Sequence, residues 1–276
     1  MLQHLIAVTM IILNRMMIIL NRIFKKLSEI KGDSIELELR KYPELQKVYA
    51  ICNSSPHGKW IIGKNDAINL YKLVLKIKPS KVVEFGTGIG ASTAVLALAL
   101  KNVGKGEIVS IEQSPKCAKI ARELMEPTLE KWVTIITAKP IIFRVEKISR
   151  WKYFSGYEWT PSNNDFFDFV VIDGPGGWLQ DGELVSLENG DIIRLLPHLV
   201  KGCKVYIDGR RPTVEMIKRY LWKYFVVLED NIQFTLLEKN ERCVKSIDDL
   251  QIADKKLEQY QYDDYFNYNI VINTNE

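Results

Sequence analysis

Four carboxylates stand at or near the ends of apolar runs in this chain: Glu84 in "KVVEF", Glu112 in "EIVSIE", Asp173 in "FFDFVVIDG" and Asp208 in "CKVYIDG". Short apolar runs bounded by turn residues read as buried strands. A carboxylate at the end of such a strand sits on the carboxyl edge of the sheet, the edge at which α/β folds bind ligands. There it can accept ribose hydroxyls, hold a cation or remove a proton. The first run leads into "GTGIGAST", with Gly86, Gly88 and Gly90 at alternate positions before a run of small and apolar residues. A strand that turns into a helix through glycines brings bare backbone and a helix N-terminus against its ligand.

The elements that must position these groups follow from the hydrophobic pattern. Ala67, Leu70, Leu73, Val74 and Ile77 recur at helical spacing and stop at Lys78-Pro79-Ser80, which predicts a helix ahead of the first strand. After it, strands over "KVVEF", "EIVSIE", "VTIITA", "FFDFVVID" and "CKVYIDG" alternate with helices over "STAVLALALKN", "PKCAKIARELME", "ENGDIIRLLPHLV" and "TVEMIKRYLWKY". "FVVLED" and "FTLLEKN" form a closing antiparallel pair, and "KPIIFRVEKISRWKYFSGYEWTPSNND" reads as a short helix and a loop. The expected fold class is α/β, a largely parallel sheet with helices on both faces.

At 276 residues with 47% hydrophobic content, the chain can bury a substantial core, and a net charge of +4 without a block of like charge supplies no nucleic-acid arm. Cys52, Cys117, Cys203 and Cys243 form no CxxC pair and no zinc-like cluster, so they are expected as reduced core thiols in a cytoplasmic protein. The N-terminal "MLQHLIAVTMIILNRMMIILNRIF" is strongly apolar but broken by Arg15 and Arg22, short of the roughly 20 uninterrupted residues of a spanning helix. Its repeated "IILNR" leaves a wide apolar helical face. Three readings of it stay open: packing on the domain or on a copy in a homodimer, attachment of residues 1–26 to a membrane surface, or a start at Met16 or Met17. The expected organisation is an apolar helix over 1–32, one ligand-binding domain over 33–240 and a polar, tyrosine-rich extension over 241–276 that adds a strand or drapes over a neighbouring subunit.

The glycine spacing by itself also satisfies the dinucleotide pattern G-x-G-x-x-A through Gly86, Gly88 and Ala91, so an NAD-dependent oxidoreductase is a rival. Glu112 suits either ligand, since it can take both hydroxyls of a ribose. Glu84, standing where dinucleotide folds carry an apolar residue, and the closing antiparallel pair favour an adenosine ligand without a pyrophosphate.

At these residues the chain resembles the class I S-adenosylmethionine-dependent methyltransferases, over about residues 58 to 240. "VVEFGTGIGAST" is similar to their first motif, "IVSIEQSP" to the second and "FDFVVIDGPGG" to the strand and loop that close over the methionine end. Within that superfamily the resemblance is greatest to the small-molecule O-methyltransferases of catechol and macrocin type. It implies a seven-stranded Rossmann-like sheet and S-adenosyl-L-methionine as cofactor. It gives the cofactor Glu84, Gly86, Thr87, Gly88, Gly90, Ser92, Glu112, Gln113 and Asp173, with Glu112 on the ribose. In metal-dependent relatives the aspartate matching Asp173 and an acidic or amide pair on the fifth strand hold magnesium. Here Asp208 is followed by Gly209, which leaves Asp173 and Asp208 as candidate Mg2+ ligands with one ligand missing. Ala138 and Lys139 stand where many relatives place an acidic or amide residue near the adenine, so that contact must come from backbone or from another side chain.

A hydroxyl acceptor, on a small molecule or a sugar, must lose a proton during methyl transfer. Asp173 is the first candidate for the base, Asp208 the second, and His57 in "SSPHGKW" a third that could reach in from a loop. Each has a bland counterpart: a loop carboxylate capping amides around Gly174 and Gly176, or a plain surface histidine. Arg210 and Arg211 could clamp an anionic group of the acceptor or be solvated arginines at a helix start. His198 is expected to be structural, and Trp151, Tyr153, Tyr157 and Trp159 to wall the acceptor pocket or cover a core edge. Neither an N-P-P-Y loop nor a Pro-Cys nucleophile is present, so a nucleic-acid acceptor is not expected. The remaining rival is a non-catalytic binding module that keeps the fold and docks through its N-terminal helix.

Overall fold

The computed structural model describes residues 32–58, 61–146, 148, 152–180, 183–185, 187–242 and 252–256. The chain divides into two compact units, residues 1–46 and 47–276. In the first, the described residues 32–40 form a helix. The expectations for residues 1–26 lie outside the described residues. Among those described, no helix is long and apolar enough to cross a membrane.

The second unit is built on a seven-stranded sheet. Its helices are α1 (Pro43–Asn53, shared across the division), α2 (Lys64–Ile77), α3 (Ala91–Val103), α4 (Pro115–Leu124), α5 (Pro127–Glu130), α6 (Asp191–Arg194) and α7 (Arg211–Tyr220). The main strands are β1 (Lys81–Phe85), β2 (Glu107–Glu112), β3 (Val133–Thr137), β6 (Phe167–Ile172), β9 (Leu199–Asp208), β10 (Phe225–Asp230) and β11 (Phe234–Lys239). Between them, β4 (Pro140–Val145), β5 (Tyr153–Tyr157), β7 (Trp178–Gln180) and β8 (Glu183–Val185) form smaller sheets, and β12 (Ile252–Lys256) follows.

The order across the main sheet is β10-β11-β9-β6-β1-β2-β3. β9, β6, β1, β2 and β3 pair in parallel, and β11 runs antiparallel to both β9 and β10. The sheet is therefore mostly parallel and closes in the expected antiparallel pair. β1 is flanked by β2 and β6, so the chain reverses its winding direction there. The crevice beyond the carboxyl ends of β1 and β6 is the switch point at which such sheets bind ligands.

Burial explains why these sequences take these places. Val82, Val83, Val170 and Ile172 are solvent-free, as strands covered on both faces require. α3 buries every residue from Ala91 to Leu100, whereas α2 buries only the stripe Ala67, Ile68, Leu70, Tyr71 and Val74. Ser114 caps α4 by accepting the Cys117 N–H at 3.1 Å. Cys52, Cys117 and Cys203 are buried free thiols, and Cys243 lies outside the described residues.

Two sequence expectations are corrected. The stretch after β3 is not a helix and loop but the hairpin β4–β5, to which β12 adds as a third antiparallel strand. The charged residues in "FRVEKISRWK" mask its alternation, while Phe143 and Phe154 are fully enclosed in the same core as Val83 and Phe85. The helix expected over "ENGDIIRLLPHLV" is only α6 and a single 3-10 turn, Leu196–His198. Pro197 lacks the N–H to extend it, and β9 begins at Leu199.

Candidate active site

A cavity of about 210 Å³ opens at the carboxyl edge of β1, β2 and β6. Its floor is the glycine turn after β1. Gly86, at φ +99°, lies so close to the loop after β6 that a Cβ would stand 2.6 Å from Gly174 N. Gly88, at φ +53°, has nothing within 4 Å of where a Cβ would be, so its bare face is turned to open space. Thr87, Ser92, Glu112, Gln113, Asp173 and Arg210 also line the cavity. Most of the residues picked out by sequence thus meet around one space.

Glu112 is 3% exposed. One carboxylate oxygen accepts the Gly88 N–H at 2.7 Å and the other the Ser114 N–H at 2.9 Å. Each oxygen keeps a second lone pair for a ligand hydroxyl. Burial pushes its pKa up to about 7 against the pull of those backbone donors. Next to it, Gln113 is 5% exposed, and neither its amide nitrogen nor its amide oxygen has a hydrogen-bond partner. Its nitrogen lies against Gly176. A buried amide left with both ends open is a group waiting for a donor–acceptor pair.

Glu84 does not join the cavity wall. It is fully enclosed, and one oxygen accepts the hydroxyls of Thr93 (2.5 Å) and Ser110 (2.6 Å). Burial raises its pKa, opposed by the hydroxyls of Ser110, Ser92 and Thr93. It ties β1 to β2 and to the first turn of α3, beneath the glycine turn. Gly90 is likewise off the wall: at φ +91°, a Cβ there would be 2.9 Å from the Ala121 Cβ, so this glycine lets α3 and α4 meet.

The loop Asp173-Gly174-Pro175, with a cis Gly174–Pro175 peptide, is held from three sides. Arg210 donates to the carbonyl of Asp173 and, at 2.9 Å, to that of Pro175, and its Nε lies 3.5 Å from Asp173 Oδ1. Asn189 donates to the Gly174 carbonyl at 2.5 Å. Tyr157 packs its hydroxyl where a Gly174 Cβ would be and stacks on Phe85 with centroids 5.9 Å apart. Tyr157 is held in turn by Asp191, which accepts its N–H and pairs with Arg194 at 3.2 Å. Burial pushes Asp191 up to about 7. The Asp173 side chain is 41% exposed; its partial burial raises its pKa, and the Arg210 charge draws it back.

Asp208 ends β9 beside this loop but does not line the cavity. Burial, then the charges of Asp173 and Asp66, push it up to about 7, with Arg210 opposing. Among the described residues, no group of three or more His, Cys, Asp and Glu side chains is arranged to hold a metal ion. His57 is also absent from the cavity wall, and its N–H donates to Ser55 Oγ at 3.3 Å. Arg211 turns onto the far strand, paired with Asp230 at 2.5 Å and Glu215 at 3.3 Å. His198 donates from Nδ1 to the Asp165 carbonyl, 3.0 Å away, as a buried structural residue. Sequence reasoning missed Ile61 and Ile62, which line the cavity, and the Asn189–Asp191–Arg194 support; for the latter, the polar residues in "ENGD" were the available signal.

Residues 83–209 match a family model described as a methyltransferase domain. No curated protein matches the chain. Among solved structures, a Staphylococcus aureus protein described as a caffeoyl-CoA O-methyltransferase superposes with a TM-score of 0.51 at 15% identity, covering 76% of this chain and 99% of that one. The chain has the class I methyltransferase fold. The O-methyltransferase from Bacillus cereus in complex with SAH is 19% identical, with a TM-score of 0.40 and coverage of 72% and 90%.

Proposed function

We propose that the methyltransferase domain binds S-adenosylmethionine in this cavity and directs its methyl group to a hydroxyl of a small molecule or sugar. The observation that carries the reading is the coupling of Gly88 and Glu112: an open glycine turn whose own N–H holds an enclosed carboxylate at the cavity wall. That pair fits a ribose diol lying over bare backbone. Gln113 supports it, since its open amide matches the adjacent donor and acceptor on an adenine edge. Gln113 then supplies the contact that Ala138 and Lys139 do not.

S-adenosylmethionine, when bound, supplies an electrophilic methyl group on a sulfonium. The acceptor oxygen attacks in line as the S–CH3 bond breaks, and its proton must go to a base. Asp173 lines the cavity and is the residue proposed to take that proton, with Asp208 behind it as a coupled carboxylate. Thr87 and Ser92 shape the cofactor end of the wall. Tyr157, fixed by Asp191 and Arg194, holds the loop that presents Asp173 and closes the acceptor side to water.

The test is calorimetric titration with S-adenosylmethionine, S-adenosylhomocysteine and NAD, repeated on Glu112→Ala. The reading expects binding of the first two, lost in the variant, and none of NAD. NAD binding alone would transfer the assignment to an oxidoreductase, and silence from all three would leave a non-catalytic module.

A further inference from the structure

Building on the methyl-transfer reading above, we infer that the guanidinium of Arg210 is the fixed cation of this site, standing against Asp173 and Asp208 where metal-dependent relatives hold a divalent ion, so that the domain works without one.

The donor set does not fit a metal. Asp173 and Asp208 are two carboxylates, and the neighbouring position, Gly209, has no side chain; its N–H donates to the Gln233 carbonyl at 2.8 Å. A magnesium site can be completed by water and substrate when protein ligands are few, so a missing ligand alone decides little. The charge already present decides more. Arg210 is held at three points on the Asp173–Pro175 loop, two carbonyls and one carboxylate oxygen. Its side chain is 25% exposed, which limits solvent screening. A dication entering between the two aspartates would face this charge at contact range.

Geometry makes the placement deliberate. Gly209, at φ +56°, turns the chain directly after β9, and Arg210 then forms the N-cap position of α7. The turn folds Arg210 back over the loop after β6, while the adjacent Arg211 points to Asp230 and Glu215. An arginine, unlike a lysine, does not vacate the position by losing its proton. The fork also engages backbone carbonyls that a solvated arginine would leave to water. A guanidinium here opposes the rise that burial gives the Asp173 pKa and fixes the loop that carries Asp173 at the cavity wall.

Paramagnetic titration with Mn2+, read by electron spin resonance, tests the inference on wild type, Arg210→Met and Arg210→Met/Asp173→Asn, with S-adenosylhomocysteine affinity measured on the same samples. Wild type is expected to leave Mn2+ free. Removing one like charge beside the site should raise Mn2+ affinity by about tenfold or more in Arg210→Met, and Asp173→Asn should abolish the gain. Arg210→Gln, which keeps a donor for the loop carbonyls, replaces Arg210→Met should the latter not fold. Stoichiometric Mn2+ binding by wild type that Asp173→Asn removes would overturn the inference, as would a folded Arg210 variant that binds no more tightly than wild type. Failure of S-adenosylhomocysteine to bind any sample would instead sink the methyl-transfer reading and leave the Mn2+ result to judge Arg210 by itself.

Discussion

Glu112 costs stability above neutral pH, and replacing it with glutamine, which does not ionise, should remove that pH dependence together with ligand affinity. Its pKa is about 7 in the folded protein against an ordinary 4.5. The folded state therefore binds the proton more tightly than the unfolded chain. Linkage then requires stability to fall as pH rises between those two values: the contribution is fully present below about 4.5 and lost above about 7. An interval of about 2.5 pH units corresponds to roughly 3 kcal/mol at most. Asp191 and Asp208 are raised to the same region, so the pH dependence of wild type alone does not isolate Glu112. The difference between wild type and Glu112→Gln does.

At pH 5 the protonated glutamate still offers a lone pair on each oxygen to the Gly88 and Ser114 N–H groups, whereas the glutamine NH2 opposes one of them, so the variant carries a fixed deficit there. Between pH 5 and pH 8 the stability of the glutamine variant relative to wild type should rise by about 2–3 kcal/mol, while S-adenosylhomocysteine affinity falls by at least about tenfold through loss of charged acceptors for the ribose. Urea denaturation at pH 5, 6, 7 and 8 reads the first quantity and calorimetry the second. A stability difference that does not change with pH would refute the linkage argument. Unchanged affinity would remove Glu112 from the ligand.

Asp173→Asn should lower turnover by about a hundredfold or more with S-adenosylhomocysteine affinity nearly intact; a parallel loss of both would make Asp173 a structural loop residue. Because partial burial raises the Asp173 pKa above its ordinary value, kcat/KM should fall as pH drops and this accepting carboxylate protonates; a profile flat from pH 8 down to about pH 4 contradicts this. Asp191→Ala leaves the enclosed Arg194 without its carboxylate and should cost about 3 kcal/mol in urea denaturation; a loss below 1 kcal/mol would show that Tyr157 is not held there. Gly90→Ala brings a Cβ to 2.9 Å from Ala121 Cβ and should destabilise by about 2 kcal/mol or more, whereas Gly88→Ala should act mainly on ligand affinity; the reverse pattern would exchange their assigned roles.

Strands that end in a carboxylate were readable because two local signals agree: an apolar run and a turn residue directly after it. That made β1, β2, β6 and β9 legible, and with them the edge that carries the cavity. The hairpin β4–β5 was not legible because its pairing is non-local in part. β12, from the polar tail, lies against β4 some 110 residues earlier in the chain, as Val145 pairing with Ile252 shows. α6 is shorter than the helical periodicity of "DIIRLLPHL" up to Pro197 suggests, because Asp191 accepts the Tyr157 N–H instead of facing water. Periodicity reports which faces are apolar and not which polar groups the fold will consume.

The four carboxylates make the same point at the level of chemistry. All four stand at strand ends, and sequence assigns each to the ligand or the reaction on that ground. Their surroundings separate them. Glu84 faces Ser110 across the β1–β2 pair and Thr93 on α3, so its hydrogen bonds are consumed inside the fold. Glu112 sits at the same sheet edge one strand over, yet its donors are backbone N–H groups that leave lone pairs turned to the cavity. Asp173 gains a guanidinium on one side, and Asp208 does not reach the wall. The carboxylate that pins the sheet, the one proposed to meet a ribose and the one proposed to take a proton are thus distinguished by their neighbours across strands: Ser110, Gly88 and Arg210. Those neighbours are 26, 24 and 37 positions away, which is why residue type and strand position could gather the candidates but only the folded sheet could divide them.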